Sequence, residues 1–199
     1  MVPPKDPQAL IRATARLRDE GLCFTVNLVG KPTSSTEAYF QETRELVSAL
    51  RLKDRVALPG FVPDTGMPSY FAKAHVGVQT SRSEGMSIAV MEQMMAGLAI
   101  VATDVGDTAV AIRNEETGLL IPPGDDESLA AALRRLFMDD DLRRRLGRAA
   151  REEALRRFSI EAMTDRAIAE YRRVLGCGPQ GNDSVGATDA MPVEGGVQA

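Results

Sequence analysis

Glu84 and Glu92 stand eight positions apart in the stretch EGMSIAVMEQMMAG. The pattern of this stretch predicts a helix over residues 85–96, with Ser83 or Glu84 as its cap and Gly97 as its stop. At the rise of an α-helix the two acids lie about 12 Å apart along the axis. That separation suits an extended ligand with a diphosphate in its middle. The N–H groups and the positive dipole end of a helix start attract phosphate. A carboxylate on either side can accept hydrogen bonds from sugar hydroxyls. Two acids so spaced are equally what a helix cap and one exposed glutamate would give, so the spacing by itself decides nothing.

The elements around the acids make a βαβ unit of the expected size. Val76 and Val78 begin a β-rich run that ends at Gln79 and Thr80, and Ser81, Arg82 and Ser83 break it. A second buried strand covers residues 99–102. Upstream, Asp6-Pro7 supplies a cap and a first-turn proline for a helix running to Gly21, with Leu10, Ala13 and Leu17 on one face. A strand over 23–29, a helix over 37–50 with Phe40, Val47 and Leu50 in the core, a strand over 56–58 and a helix over 68–73 follow. Downstream come a glycine turn at Gly106, a helix over 108–113, a strand over 118–121 and a turn at Pro122-Pro123-Gly124-Asp125. Helices over 127–138, 141–157 and 160–175 close the chain. This alternation predicts an α/β fold: a Rossmann-like, doubly wound, mostly parallel sheet wrapped on both faces. Such a domain should open on its central strand. This chain opens on a Pro-rich loop and a helix, so its first strand is expected to be missing.

With 199 residues, 44% of them hydrophobic, the chain has room for one domain with a real core. That domain is expected over 1–176. The tail over 177–199 is Gly-rich and without periodicity, and is expected to be disordered. The net charge is −4, and the tail carries Asp183, Asp189 and Glu194 with no Lys or Arg. The remainder is close to neutral, which argues against a nucleic-acid binder driven by bulk charge. Cys23 and Cys177 lie far apart, which fits a reducing compartment. No apolar run is long enough to span a bilayer and no signal peptide is seen, so a cytoplasmic protein is expected. His75 is the lone histidine, and it is expected to be structural or exposed. The acids form no metal-ligand pattern, so no metal is expected. The helix over 142–157 carries Arg143, Arg144, Arg145, Arg148, Arg151, Arg156 and Arg157. Such a face could make a weak contact with anionic lipid, placing the protein at the inner face of a membrane. A solvated face paired to Glu152 and Glu153 is the commoner outcome and is preferred. Met86, Met91, Met94 and Met95 are expected to be helix packing. Ile160, Met163, Ala167, Tyr171 and Val174 make an apolar stripe on the last helix, widened by Ile168 and Leu175.

The stretch from Glu84 to Thr103 resembles the E-x7-E signature of retaining glycosyltransferases of the group 1, or family 4, type. Glu84, Gly85, Glu92, Met94, Gly97, Val101, Ala102 and Thr103 match it. Met86 stands for the usual Phe, Ser87 for Gly, Gln93 for Ala and Ala99 for Pro. VALPGFVPD resembles the family's strand and turn beside the nucleobase, and TGLLIPPGDDESLAAALRRL and RRFSIEAMTDRAIAEY resemble its later segments. Val110 departs from the glutamate that many members carry after the glycine turn.

The resemblance implies the C-terminal, donor-binding half of a two-domain GT-B enzyme. Glu84 and Lys5 would be the catalytic residues. The donor-binding set would be Lys5, Phe61, Val62, Glu84, Gly85, Met86, Ser87 and Glu92. Lys5 and the N–H groups near Gly85 to Ser87 would hold the diphosphate, Glu92 the ribose, Glu84 the transferred sugar, and Phe61 and Val62 the base. The substrate would be a nucleotide-diphosphate-sugar donor, with no cofactor and no metal. An unknown acceptor (glycan, lipid or small molecule) would be held by an N-terminal domain that is missing from this chain. The chain would then be a fragment, a truncated gene product or a split protein, inactive by itself. The alternative is a non-catalytic nucleotide- or sugar-binding module.

Overall fold

The computed structural model describes residues 5–176. The expected tail over 177–199 lies outside the described residues. Chain order begins with α1 (Pro7–Asp19), β1 (Val26–Val29), α2 (Glu37–Ala49), β2 (Val56–Gly60) and α3 (Met67–Lys73). It continues with β3 (Val76–Gln79), α4 (Ile88–Met95), β4 (Ala99–Thr103), α5 (Thr108–Ala111) and β5 (Leu119–Ile121). Three helices close it: α6 (Asp126–Met138), α7 (Asp140–Phe158) and α8 (Ile160–Val174). The fold is the expected Rossmann-like α/β alternation.

Every strand pairing is parallel, but the strands form two groups. β1 pairs with β2, and β3, β4 and β5 form a second sheet with β4 in the middle. In a doubly wound order the first strand lies between the second and the fourth. Among the described residues no strand precedes α1, and the sheet is divided at that place. The facing edges of β1 and β3 are not hydrogen-bonded to each other. Even so, Val26 and Leu28 of β1 and Val76 and Val78 of β3 pack against one apolar cluster.

β4 is the best-covered strand. All five of its residues are buried, and their alternation feeds two layers. Ala99 and Val101 meet Leu10, Ala13 and Leu17 of α1 and Leu129, Leu133 and Leu136 of α6. Ile100 and Ala102 meet Val90 and Met94 of α4 and Ala150 and Ala154 of α7. The closest approach in this second layer requires Gly147: a Cβ there would overlap the carbonyl oxygen of Gly97.

Several element boundaries differ from the sequence reading for local reasons. Cys23, expected at the start of a strand, is exposed loop, because β1 finds its partner only from Val26, opposite Val56. β2 runs on through Pro59 to Gly60. Proline lacks a donor, and β2 has no strand on its outer side to need one. α4 starts at Ile88, not at residue 85. Met86 therefore lies outside the helix and is 38% exposed, while Met94 is fully buried. Phe40 and Leu50 are half-buried and Val47 is core.

Residues up to Ser159 form one compact unit, and α8 belongs to a second. None of the residues of α8 is buried. The apolar stripe is open, with Ile160, Met163, Tyr171 and Val174 all exposed. No helix among the described residues is long and apolar enough to cross a membrane.

Candidate functional site

The site is built where α1 begins and where β3 and β4 end. Asp6 caps α1 by accepting from the Ala9 N–H, and Pro7 sets the first turn. Lys5 thereby stands one residue ahead of the helix cap. β3 delivers Thr80 and Ser81 to the same place, and the loop they open carries Glu84. The Lys5 ammonium is ion-paired to the Glu84 carboxylate. These two residues, 79 positions apart in the chain, are the pair the resemblance singled out.

Glu84 is held from several directions. Ser81 Oγ donates to its Oε1 at 2.7 Å. The Glu84 side chain is mostly buried, while Lys5 is largely exposed. Burial pushes the carboxyl up, but the bonds from Lys5 and Ser81 and the Lys5 charge more than offset this and hold it below its ordinary value. Glu84 is therefore a carboxylate, an acceptor for hydroxyl groups. Its backbone is clamped by Gly106, in the loop after β4: a Cβ at Gly106, whose φ is +52°, would overlap the Glu84 carbonyl. The Glu84 side chain is bonded to Lys5 and Ser81, and its carbonyl passes close to Gly106.

The loop itself is pinned from both neighbours. Thr103 Oγ, at the end of β4, donates to the Ser81 carbonyl at 2.6 Å. Thr80 Oγ donates to the Asp6 carbonyl at 2.8 Å. Arg82 Nε donates to Asp6 Oδ2 at 2.8 Å. Ahead of α4 stands Ser87, buried, with no hydrogen-bond partner for its Oγ and no capping bond to the helix. The Gln79 amide is likewise buried without a well-formed partner. Buried polar groups of this kind normally find a partner. Here Ser87 stands at the start of an eight-residue helix and the Gln79 side chain lies beside Glu84.

The remaining expected residues are placed less tightly. Gly85 and Met86 lie in the bend between Glu84 and α4. Glu92 is on α4 and exposed. Phe61 and Val62 follow β2, and the exposed Phe61 ring carries the Lys31 ammonium 4.9 Å from its centroid. The Gly30 N–H donates to the Gly60 carbonyl at 2.9 Å, which brings the two strand ends, and so Lys31 and Phe61, together. His75 is exposed. Among the described residues no three His, Cys, Asp or Glu side chains gather as a metal-ligand set.

The sequence reading missed Ser81, Thr80 and Arg82 as parts of the site. It placed Thr80 at the end of a strand and treated Ser81 and Arg82 as loop breakers, and nothing in their spacing joins them to Lys5 and Asp6. Of the seven arginines of the α7 region, Arg144, Arg145, Arg148, Arg151 and Arg156 are exposed, and Arg143 and Arg157 are half-buried. Arg143, Arg145, Arg151 and Arg157 donate to backbone carbonyls of Leu136, Glu115, Met95 and Val110. Arg144 pairs with Asp141, and Arg156 with Glu153.

Comparison with known proteins bears on the family and the fold. The chain is 33% identical over 180 residues to a D-inositol 3-phosphate glycosyltransferase of Saccharomonospora viridis, covering 87% of this chain and 41% of that protein. Its fold matches the sucrose-phosphate synthase of Thermosynechococcus elongatus with a TM-score of 0.77 and 29% identity, over 88% of this chain and 43% of that one. It matches Anabaena HepE, solved in complex with UDP, with a TM-score of 0.77 and 25% identity, over 87% of this chain and 46% of that one. The chain thus spans about two fifths of the length of the curated relative it matches. Residues 1–153, which include Lys5, Glu84 and every element from α1 to α6, match the glycosyl transferases group 1 family, and the chain belongs to it.

Proposed function

We propose that this chain binds the nucleotide-sugar donor of a retaining sugar transferase, and that the acceptor is supplied by a second domain. The observation that carries the reading is the Lys5–Glu84 pair, a cation and a carboxylate held side by side at the start of α1 and the end of β3. The open α/β sheet binds ligands at the carboxyl ends of its strands, and this pair lies there. A diphosphate would draw the Lys5 ammonium away from Glu84 and take the unpartnered Ser87 hydroxyl and the N–H groups that lead into α4. Glu84, released from Lys5, would accept from hydroxyls of the sugar. Glu92 would accept from the ribose, and Phe61 with Val62 would lie against the base. Family membership and the UDP complex of HepE support a nucleoside diphosphate as the shared ligand chemistry.

Transfer requires an acceptor at the anomeric carbon and positive charge on the departing diphosphate. Lys5 supplies part of that charge. The chain by itself is expected to bind donor and not to turn it over. Calorimetric titration with UDP and UDP-glucose, alongside an assay of sugar release, tests both halves of this statement. Glu92→Ala should cost about 1.5–3 kcal/mol of donor affinity, the range of a charged hydrogen bond. Unchanged affinity in a folded Glu92→Ala protein would remove Glu92 from the site. Measurable turnover by the chain alone would show that it needs no second domain.

A further inference from the structure

The segment Lys5-Asp6 and the segment Arg82-Ser83-Glu84 meet through two ion pairs of crossed sign. Lys5 pairs with Glu84, and its neighbour Asp6 pairs with Arg82. Asp6 is 1% exposed, and each of its acceptors is used. Oδ1 accepts from the Ala9 N–H at 3.3 Å and from the Tyr39 hydroxyl at 3.0 Å, Oδ2 from Arg82 Nε at 2.8 Å, and the carbonyl from Thr80 Oγ at 2.8 Å. The Arg82 guanidinium reaches from Asp6 to the neighbourhood of Gly124, in the turn after β5, and its side chain stays 43% exposed. This is more than a helix cap requires. Capping uses one oxygen of Asp6 and leaves the other to hold a cation.

The identity of that cation matters because Arg82 is two residues from Glu84. A guanidinium offers a carboxylate a planar fork of donors and competes well against an ammonium. We propose that Asp6 is a positioning residue of the donor site: by sequestering Arg82 it reserves Glu84 for Lys5. With the Asp6 charge gone, Arg82 turns to Glu84, Lys5 is displaced into solvent, and the cation meant for the diphosphate is no longer where the phosphate arrives. The ligand half of this proposal rests on the donor-binding function above; the side-chain half does not.

Asp6→Asn separates positioning from capping, since asparagine caps as well as aspartate but offers no charge to Arg82. Two readouts are taken on the full 199-residue chain. The first is the acylation rate of Lys5 by an N-hydroxysuccinimide ester, followed by peptide mass spectrometry. The second is the affinity for UDP. In Asp6→Asn, Lys5 should become more reactive and UDP binding should weaken about tenfold, the loss of one charged hydrogen bond. Both should return toward wild type in Asp6→Asn/Arg82→Gln, where the competitor is absent. Asp6→Ser keeps a cap in a smaller side chain and should give the same pair of outcomes, which covers a poorly folding asparagine variant. Wild-type Lys5 reactivity in folded Asp6→Asn, or no recovery in the double variant, overturns the proposal. Failure of the wild-type chain to bind UDP counts against the donor reading alone, because Lys5 reactivity still decides the role of Asp6.

Discussion

The two groups of strands in this molecule are made of similar sequence and end up in different states. β4 reads Ala-Ile-Val-Ala-Thr, has a strand on each side and a helical layer on each face, and is buried at every position. β1 reads Val-Asn-Leu-Val, has one neighbour, changes register between Asn27 and Val29, and is nowhere fully buried. Apolar composition does not produce this difference. Position in the sheet does: a strand is sealed by its lateral partners as well as by the helices above and below it. The candidate site draws its tightest residues from the sealed side. Thr80, Ser81 and Thr103, at the ends of β3 and β4, hold the loop of Glu84. Phe61 and Lys31, at the ends of β1 and β2, touch each other in the open.

The sharpest way to test that contrast is to cut a methyl-rich side chain from each half. Ile100→Ala empties a fully enclosed place between α4, α7 and β4 and should cost about 3–5 kcal/mol of unfolding free energy. Leu28→Ala removes a side chain that is already half wet and should cost less than half as much, about 1–2 kcal/mol. Urea melts of the two variants decide it. Equal losses would mean that β1 is as well sealed as β4.

A second test lies on the sealed side. Glu153 on α7 is buried and receives Arg156, Arg157 and Arg113. Burial pushes its carboxyl up, but the bonds and charges of Arg156 and Arg113 win and bring it to about 2 from an ordinary 4.5. A carboxyl lowered on folding adds stability above its unfolded value, and that stability drains away as pH falls from about 4.5 toward 2. The amount is on the order of 2–3 kcal/mol, reduced from the full shift because Arg156 is exposed to solvent. Glu153→Gln should be less stable at neutral pH and should lose less on acidification. An unchanged pH slope would show that this cluster contributes no linkage.

The smallest effect is expected at α8, which carries an open apolar stripe with Tyr171 69% exposed. Stripes of this kind promote self-association. Sedimentation over a concentration series should show a reversible oligomer that Tyr171→Lys shifts toward monomer. A monomer at every concentration, indifferent to the substitution, would mean the stripe is not adhesive.

How much of this could be read in advance varies by residue. The cap at Asp6-Pro7, the core face of Leu10, Ala13 and Leu17 and the βαβ unit around Glu84 follow from local rules, and the structure has them where those rules put them. Among the described residues no strand precedes α1, in line with the Pro-rich opening of the sequence. The start of α4 was not visible. Its residues have helical spacing from position 85, but α4 begins at Ile88, and the loop before it passes close to Gly106, a residue 22 positions from Glu84 that no local period reveals. The crossed pairs of Lys5, Asp6, Arg82 and Glu84 were invisible for a similar reason. Ion pairs between loops 76 and 79 positions apart leave no period in the sequence. Lys5 stood out by family resemblance, and Asp6 only as a cap.

The central claim is that Lys5 and Glu84 form the heart of a nucleoside-diphosphate site. Calorimetric titration of UDP into the wild-type chain and into Lys5→Ala addresses it most directly. The account predicts saturable one-to-one binding by the wild type, weakened about tenfold or more in Lys5→Ala with its melting behaviour otherwise retained. Equal UDP affinity in the two folded proteins would contradict it.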